Sequence, residues 1–138
     1  MATQVLGYDG TDGARAALNA VVGLAAELGD TLVVVFASEV SRLGGEVHDY
    51  EEALRERGRA LLEEARAVAG EAGVESELVM RELSSAEALI AVADEHDARL
   101  IAVGSYGERP LKSALVGSTP TRLLHLSRRP VLVVRAPE

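Results

Sequence analysis

The chain has 138 residues, 14 of them basic and 22 acidic, and a formal net charge of −8. Its length suits one domain, at roughly 150 residues per domain, and its 48% hydrophobic content excludes a disordered chain. The acidic balance excludes a sequence-independent grip on nucleic acid, and the 3% aromatic content a stacking platform for single strands. A small anionic ligand stays open, because local donors can outweigh a global charge. The sequence contains no cysteine, which removes disulfides, thiolate metal sites and cysteine nucleophiles together. Met1-Ala2-Thr3-Gln4 lacks the basic start and apolar run of a secretory signal. No segment approaches the ~20 apolar residues of a membrane span, so a cytoplasmic protein is expected.

Gln4-Val5-Leu6-Gly7-Tyr8 reads as a short strand running into the turn Asp9-Gly10-Thr11-Asp12-Gly13. Ala14, Ala17, Leu18, Val21, Ala25 and Leu28 then recur at helical spacing, and Gly29-Asp30 stops that helix. Thr31 to Ala37 is a continuous apolar, β-branched run, the pattern of a strand covered on both faces. After a polar stretch with Gly44-Gly45, which carries no periodicity and is expected to move, a long helix runs from about His48 to Ala72. Leu54, Leu61, Ala65, Val68 and Ala72 form its apolar stripe, Glu51 and Arg55 an i,i+4 pair on its other face, and Gly73 its end. Glu77 to Met80 is a third strand. Ser84-Ser85-Ala86-Glu87 is a capping box that opens a helix with Leu89, Ile90 and Ala93 on its buried side. Leu100 to Val103 is a fourth strand, followed by a glycine-rich loop and a short helix with Leu123 and Leu124. Pro130 to Arg135 is the last strand.

Strands alternating with helices imply an α/β fold, a parallel sheet with helices on both faces and right-handed crossovers. No linker, repeat or low-complexity tract divides the chain, so residues 1–138 are expected to form one domain.

In such a sheet, ligands sit beyond the carboxyl ends of the strands. Two of those ends are chemically marked. One is Gly7-Tyr8-Asp9-Gly10. The other is Val103-Gly104-Ser105-Tyr106-Gly107, followed nine residues after Gly107 by Gly117-Ser118-Thr119. Gly104 and Gly107 carry no Cβ to keep an anion from the backbone. Gly117 and Ser118 open the last helix, whose exposed amides and positive dipole end suit a phosphate. Arg109 and Lys112 against Glu108 give this loop one net positive charge. The plain alternative, that the glycines only turn the chain, is weakened by two clusters at two strand ends. Rival nucleotide motifs fail: Leu111 precedes Lys112-Ser113 where a phosphate loop needs glycine. Gly7, Gly10 and Gly13 do not space as a dinucleotide fingerprint.

Gly104, Gly107, Gly117 and Ser118 follow the pattern Gly-two residues-Gly-nine residues-Gly-Ser. With the opening Val5-Leu6-Gly7-Tyr8-Asp9-Gly10-Thr11 and the ending Arg129-Pro130-Val131-Leu132-Val133-Val134-Arg135, the chain resembles the small, single-domain, nucleotide-binding universal stress proteins. The resemblance covers nearly the whole chain. It implies a five-stranded, doubly wound sheet of order 3-2-1-4-5 and a bound adenine nucleotide: ATP, or AMP or ADP, with Mg²⁺ carried on the phosphates. It implies that Asp9 faces the ribose or that metal, and that Gly104 and Gly107 lie along ribose and phosphates. Gly117, Ser118 and Thr119 would hold the phosphates, and Ala37 would meet the adenine through its main chain. Gly7, Tyr8 and Val103 complete the expected site. Departures stand at Phe36, where the family often has His, and at Tyr106 and Pro110, where it has small or basic residues.

Simpler roles compete at several of these positions. Asp9 equally suits a turn cap, and Thr11 and Asp12 suit helix caps better than ligands. His48, His96 and His125 are scattered and form no metal motif. Ser105 and Ser118 stand in no nucleophile elbow. Arg128-Arg129 is too short a run for nucleic acid and is expected to complement the end of the preceding helix. Three functions follow: a nucleotide-binding stress or signalling module, a slow ATPase without an evident base, and a nucleotide-free interaction protein. In the implied strand order Val131 to Val134 forms an edge of four apolar β-formers, which points to a homodimer through this strand.

Overall fold

The computed structural model describes residues 1–39, 47–105 and 116–137, apart from the side chains of Val47 and His48. The order of elements is β1 (Thr3–Gly7), α1 (Asp12–Leu28), β2 (Thr31–Ala37), α2 (Val47–Glu71), β3 (Ser76–Arg81), α3 (Ser85–Glu95), β4 (Leu100–Gly104), α4 (Ser118–Leu126) and β5 (Val131–Val134). The five strands form one sheet of order β3-β2-β1-β4-β5, and every neighbouring pair is parallel. The expected architecture and strand order are both present.

Strand alternation sorts the core into two layers. Leu6, Val34, Phe36 and Ala102 face α1 and α2 and pack with Ala17, Leu18, Val21, Leu62 and Ala65. Val5, Val33, Val35, Ile101 and Val103 face α3 and α4 and pack with Leu89, Val92 and Leu123. A sheet apolar on both faces explains why β2 reads as an unbroken run rather than an alternating one.

Local signals set the helix ends. Thr11 caps α1, its hydroxyl accepting from the Ala14 amide at 3.2 Å, and Gly29 closes it in the left-handed region at φ 71°. Ser84 caps α3 by accepting from the Glu87 amide at 3.4 Å. The second half of the expected capping box is replaced, since the Glu87 carboxylate lies 3.8 Å from Arg122 instead.

Other expectations are corrected. Helix α2 ends at Glu71, so Ala72 is exposed outside it; the buried stripe is Gly58, Leu62, Ala65 and Ala69, with Leu54, Leu61 and Val68 on its flanks. Leu28, in the last position of α1, is 46% exposed rather than part of the buried stripe. Arg129 binds the α3–β4 turn rather than the end of α4: its guanidinium donates to Asp97 at 3.1 Å and to the Ala98 carbonyl at 2.8 Å. The expected mobile stretch, around Ser38 to Val47, lies for the most part outside the described residues, at positions 40–46.

At the amino ends of the strands, Asp30 is buried beneath β1. Its carboxylate accepts from Gln4 Nε2 at 2.9 Å, from the Ala2 amide at 3.1 Å and from Arg99 through two nitrogens at 2.8 and 3.2 Å. This network ties the chain start, the α1–β2 turn and the start of β4 together at the end of the molecule opposite the cleft described next.

Candidate functional site

The strand order reverses at β1, with β2 and β3 on one side and β4 and β5 on the other. At that switch point the carboxyl ends of β1, β2 and β4 open into a cleft, where ligands of such sheets bind. Gly7, Tyr8 and Asp9 line it from β1, Ala37 from β2, Val103 and Gly104 from β4, and Gly117, Ser118 and Thr119 from the start of α4. Nine of the ten residues expected at the site therefore share one cleft. The tenth, Gly107, lies outside the described residues, as do Tyr106, Arg109, Pro110 and Lys112.

The lining combines two chemistries. Val35, Ala37, Leu89 and Val103 are apolar, whereas Asp9, Thr11, Ser85, Ser118 and Thr119 supply oxygens and donors. Ser85, Ser118 and Thr119 also border an adjoining polar recess with Ser84 and Arg122. Apolar walls beside a few convergent polar groups are the make-up of a small-molecule site.

Among the described residues, the first amides of α4 have no acceptor. Gly117 is the N-cap; its own amide goes to the Ser105 carbonyl at 2.6 Å, and its carbonyl accepts from the Thr121 hydroxyl at 2.8 Å. Ser118 and Thr119 then occupy the first two helical positions, whose amides have no intrahelical acceptor. Pro120 follows with no amide to leave unsatisfied. Two amides, two hydroxyls and the positive end of the helix dipole thus converge on the cleft.

Asp9 does what a turn residue does and still lines the cleft. Its Oδ1 accepts from the Thr11 amide at 3.1 Å and from the Thr11 hydroxyl at 2.6 Å. Tyr8 is 2% exposed, and its hydroxyl donates to Glu64 Oε1 at 2.7 Å. Burial, followed by this bond, pushes the phenol up to about 12. Glu64 also meets Arg15 at 3.2 Å, and its carboxyl is held below the usual range, chiefly by the Tyr8 bond.

The glycines have packing reasons of their own. A Cβ on Gly104 would stand 2.5 Å from the Gly13 carbonyl carbon, so its absence lets α1 approach β4. A Cβ on Gly7 would stand 2.9 Å from Leu89 Cδ1. Among the described residues no group of His, Cys, Asp and Glu is arranged to hold a metal ion. No helix among them is long and apolar enough to cross a membrane.

Sequence reasoning did not place Val35, Ser85 and Leu89 in the lining. The two α3 residues reach the cleft only because the crossover lays α3 over β1 and β2, and no local pattern announces that.

Fold and cleft together define an α/β domain with a binding site at its switch point. The universal stress protein family model matches residues 1–135, and the chain belongs to that family. It is 31% identical to the universal stress protein YxiE of Bacillus subtilis, across 95% of this chain and 97% of that one. A crystal structure of a universal stress protein in complex with cAMP superposes with a TM-score of 0.74 at 28% identity, covering 99% of this chain and 98% of the other. A universal stress protein from Arabidopsis thaliana with AMP bound shares the fold at a TM-score of 0.75, with 11% identity, over 99% of this chain and 93% of that one.

Proposed function

We propose that this protein binds an adenine nucleotide in the cleft at the switch point and acts as a stress-response or signalling module. The observation that carries the reading is the pairing of apolar walls with the open start of α4. In this reading Val35, Ala37 and Val103 flank the base, with Ala37 offering its main chain. Asp9 faces the ribose or a phosphate-bound Mg²⁺, and Gly104 and Gly107 run along ribose and phosphates. Gly117, Ser118 and Thr119 hold the phosphates, and the nucleotide is ATP, or AMP or ADP. Support comes from a 28%-identical member of the family that was crystallised with cAMP, itself an adenine nucleotide. The same reading takes residues 1–138 as one domain. It places the protein in the cytoplasm, which the cysteine-free composition suits. It also pairs two copies through Val131, Leu132, Val133 and Val134.

Calorimetry with MgATP and with AMP tests the binding. Gly117→Val puts a branched side chain beside the phosphate path and is expected to abolish binding while circular dichroism stays native. Equal affinity in wild type and variant, or no wild-type binding at millimolar nucleotide, sinks the reading.

A further inference from the structure

Behind the cleft, a closed ring of hydrogen bonds joins the Asp9 turn to helix α2. Glu64 Oε1 accepts from the Tyr8 hydroxyl at 2.7 Å and from Arg15 Nε at 3.2 Å. The Arg15 amide donates to the Thr11 carbonyl at 2.9 Å. Thr11 donates to Asp9 Oδ1 from its amide and its hydroxyl, at 3.1 and 2.6 Å. Asp9 follows Tyr8 in the chain, and the ring closes. Tyr8, Asp9 and Thr11 line the cleft, whereas Glu64 and Arg15 do not.

Helix α2 meets the same turn a second time. Gly10 sits at φ 79°, and a Cβ there would come within 2.6 Å of Leu61 Cδ2, one turn before Glu64. The turn is thus clamped by α2 through an apolar contact and a charged one. The Arg15–Glu64 pair has side chains 52% and 42% exposed, and such a pair adds little stability by itself. Its partner Tyr8 is buried, and a buried hydroxyl needs an acceptor.

We infer that Glu64 is a positioning residue of the cleft: through the Tyr8 hydroxyl and Arg15 it fixes the Asp9 turn, so that ligand occupancy and the seating of α2 are coupled. The inference rests on the nucleotide-binding reading above. By reciprocity, a nucleotide that orders the Asp9 turn also holds α2 more firmly on the sheet. The exposed face of α2 then reports whether the cleft is filled.

AMP titration by calorimetry tests this, together with hydrogen exchange of residues 47–71 with and without AMP. Wild type is expected to bind and to gain protection in α2. Tyr8→Phe and Glu64→Ala are each expected to weaken AMP by about tenfold, the scale of such couplings, and to lose the added protection. Glu64→Gln keeps an acceptor for the Tyr8 hydroxyl and is expected to fall between Glu64→Ala and wild type, a rescue that a loss of packing does not give. The Tyr8→Phe/Glu64→Ala double variant is expected to bind no more weakly than the worse single one. Arg15→Gln, at a half-exposed position, makes a milder cut in the same ring if the Tyr8 variant does not fold. Wild type that binds AMP, beside folded Tyr8→Phe and Glu64→Ala variants of equal affinity and equal α2 protection, overturns the positioning role and leaves the binding reading intact. Wild type that does not bind overturns both.

Discussion

Gly104 at the end of β4 and Gly13 at the start of α1 are in backbone contact: a Cβ on Gly104 would stand 2.5 Å from the Gly13 carbonyl carbon and 2.7 Å from the Ala14 nitrogen. Neither neighbour is a flexible side chain that could swing aside. Gly104→Ala is therefore expected to push α1 off the sheet and to cost about 1–3 kcal/mol, as overpacking does. Chemical denaturation measures this directly. An alanine variant as stable as wild type would show that α1 shifts without cost.

The site residues differ in how legible they were. The strands and helices follow from apolar runs and 3.6-residue spacing, and the cleft follows from glycines and hydroxyls at strand ends. Gly104 stands out in the sequence for its lack of a Cβ, yet the first atom an added Cβ would meet belongs to Gly13, roughly ninety positions earlier, which no local pattern reveals. Nothing in the sequence separates Glu64 from the other acids of α2. Its bond to Tyr8 spans 56 positions and exists only once α2 has docked. The error at Ala72 has the same source. Alanines at 65, 69 and 72 all suit an apolar stripe, and only the helix end, set by Gly73 at φ 74°, puts Ala72 outside it.

Asp30 should make the fold sensitive to acid. Its side chain is 0% exposed, and burial alone would raise its pKa; the bonds from Arg99, Gln4 and the Ala2 amide outweigh burial and hold the carboxyl below the usual range. A depressed folded-state pKa gives stability that is present above the unfolded value of about 3.9 and lost as pH falls through the folded value. Asp30→Asn keeps the shape but loses the charge. It is expected to cost about 1–3 kcal/mol at pH 7, and to flatten the decline in stability below pH ~4. Urea titrations across that range decide it; a variant with the wild-type acid limb would clear Asp30 of this role.

His96 titrates in the opposite sense. Nδ1 lies 2.9 Å from the Val92 carbonyl and Nε2 lies 2.7 Å from Glu77. Both partners accept, so the ring satisfies both only when doubly protonated. The Val92 bond first, then Glu77, raises its pKa above the ordinary value of 6.5. The clasp between the end of α3 and edge strand β3 is thus fully present below pH ~6.5 and lost as pH rises through the folded value. Two-dimensional NMR of the imidazole is expected to show a raised pKa in wild type and a lower one in Glu77→Gln. Identical titration in the two proteins would refute the assignment.

Nucleotide turnover is expected to be slow. Asp9 is the one carboxylate among the described residues lining the cleft itself, its Oδ1 is already committed to Thr11, and Glu39 borders only the adjoining recess. A phosphate-release assay at saturating MgATP should give a rate far below the ~10 s⁻¹ of ordinary enzymes. A rate in that range, lost in Asp9→Asn, would make this protein an ATPase with Asp9 in the reaction.

The edge strand carries the last prediction. Among the described residues, β5 pairs with β4 on one side alone. Ile101 donates to the Pro130 carbonyl and Ser105 to the Val134 carbonyl, so the main-chain groups of even-numbered positions face β4. Strand alternation then turns the amides and carbonyls of Val131 and Val133 to the open edge. Four apolar β-formers without a lysine or an inward charge make that edge a template for another strand. A second copy arriving across a two-fold axis is expected to pair with it by self-complementary bonds. Val133→Pro removes an outward donor and leaves the ladder to β4 intact, which is where a strand tolerates proline. Wild type is expected to be a dimer by light scattering at micromolar concentration, and the proline variant a folded monomer. A monomeric wild type, or a folded variant that stays fully dimeric, would place the contact elsewhere or remove it.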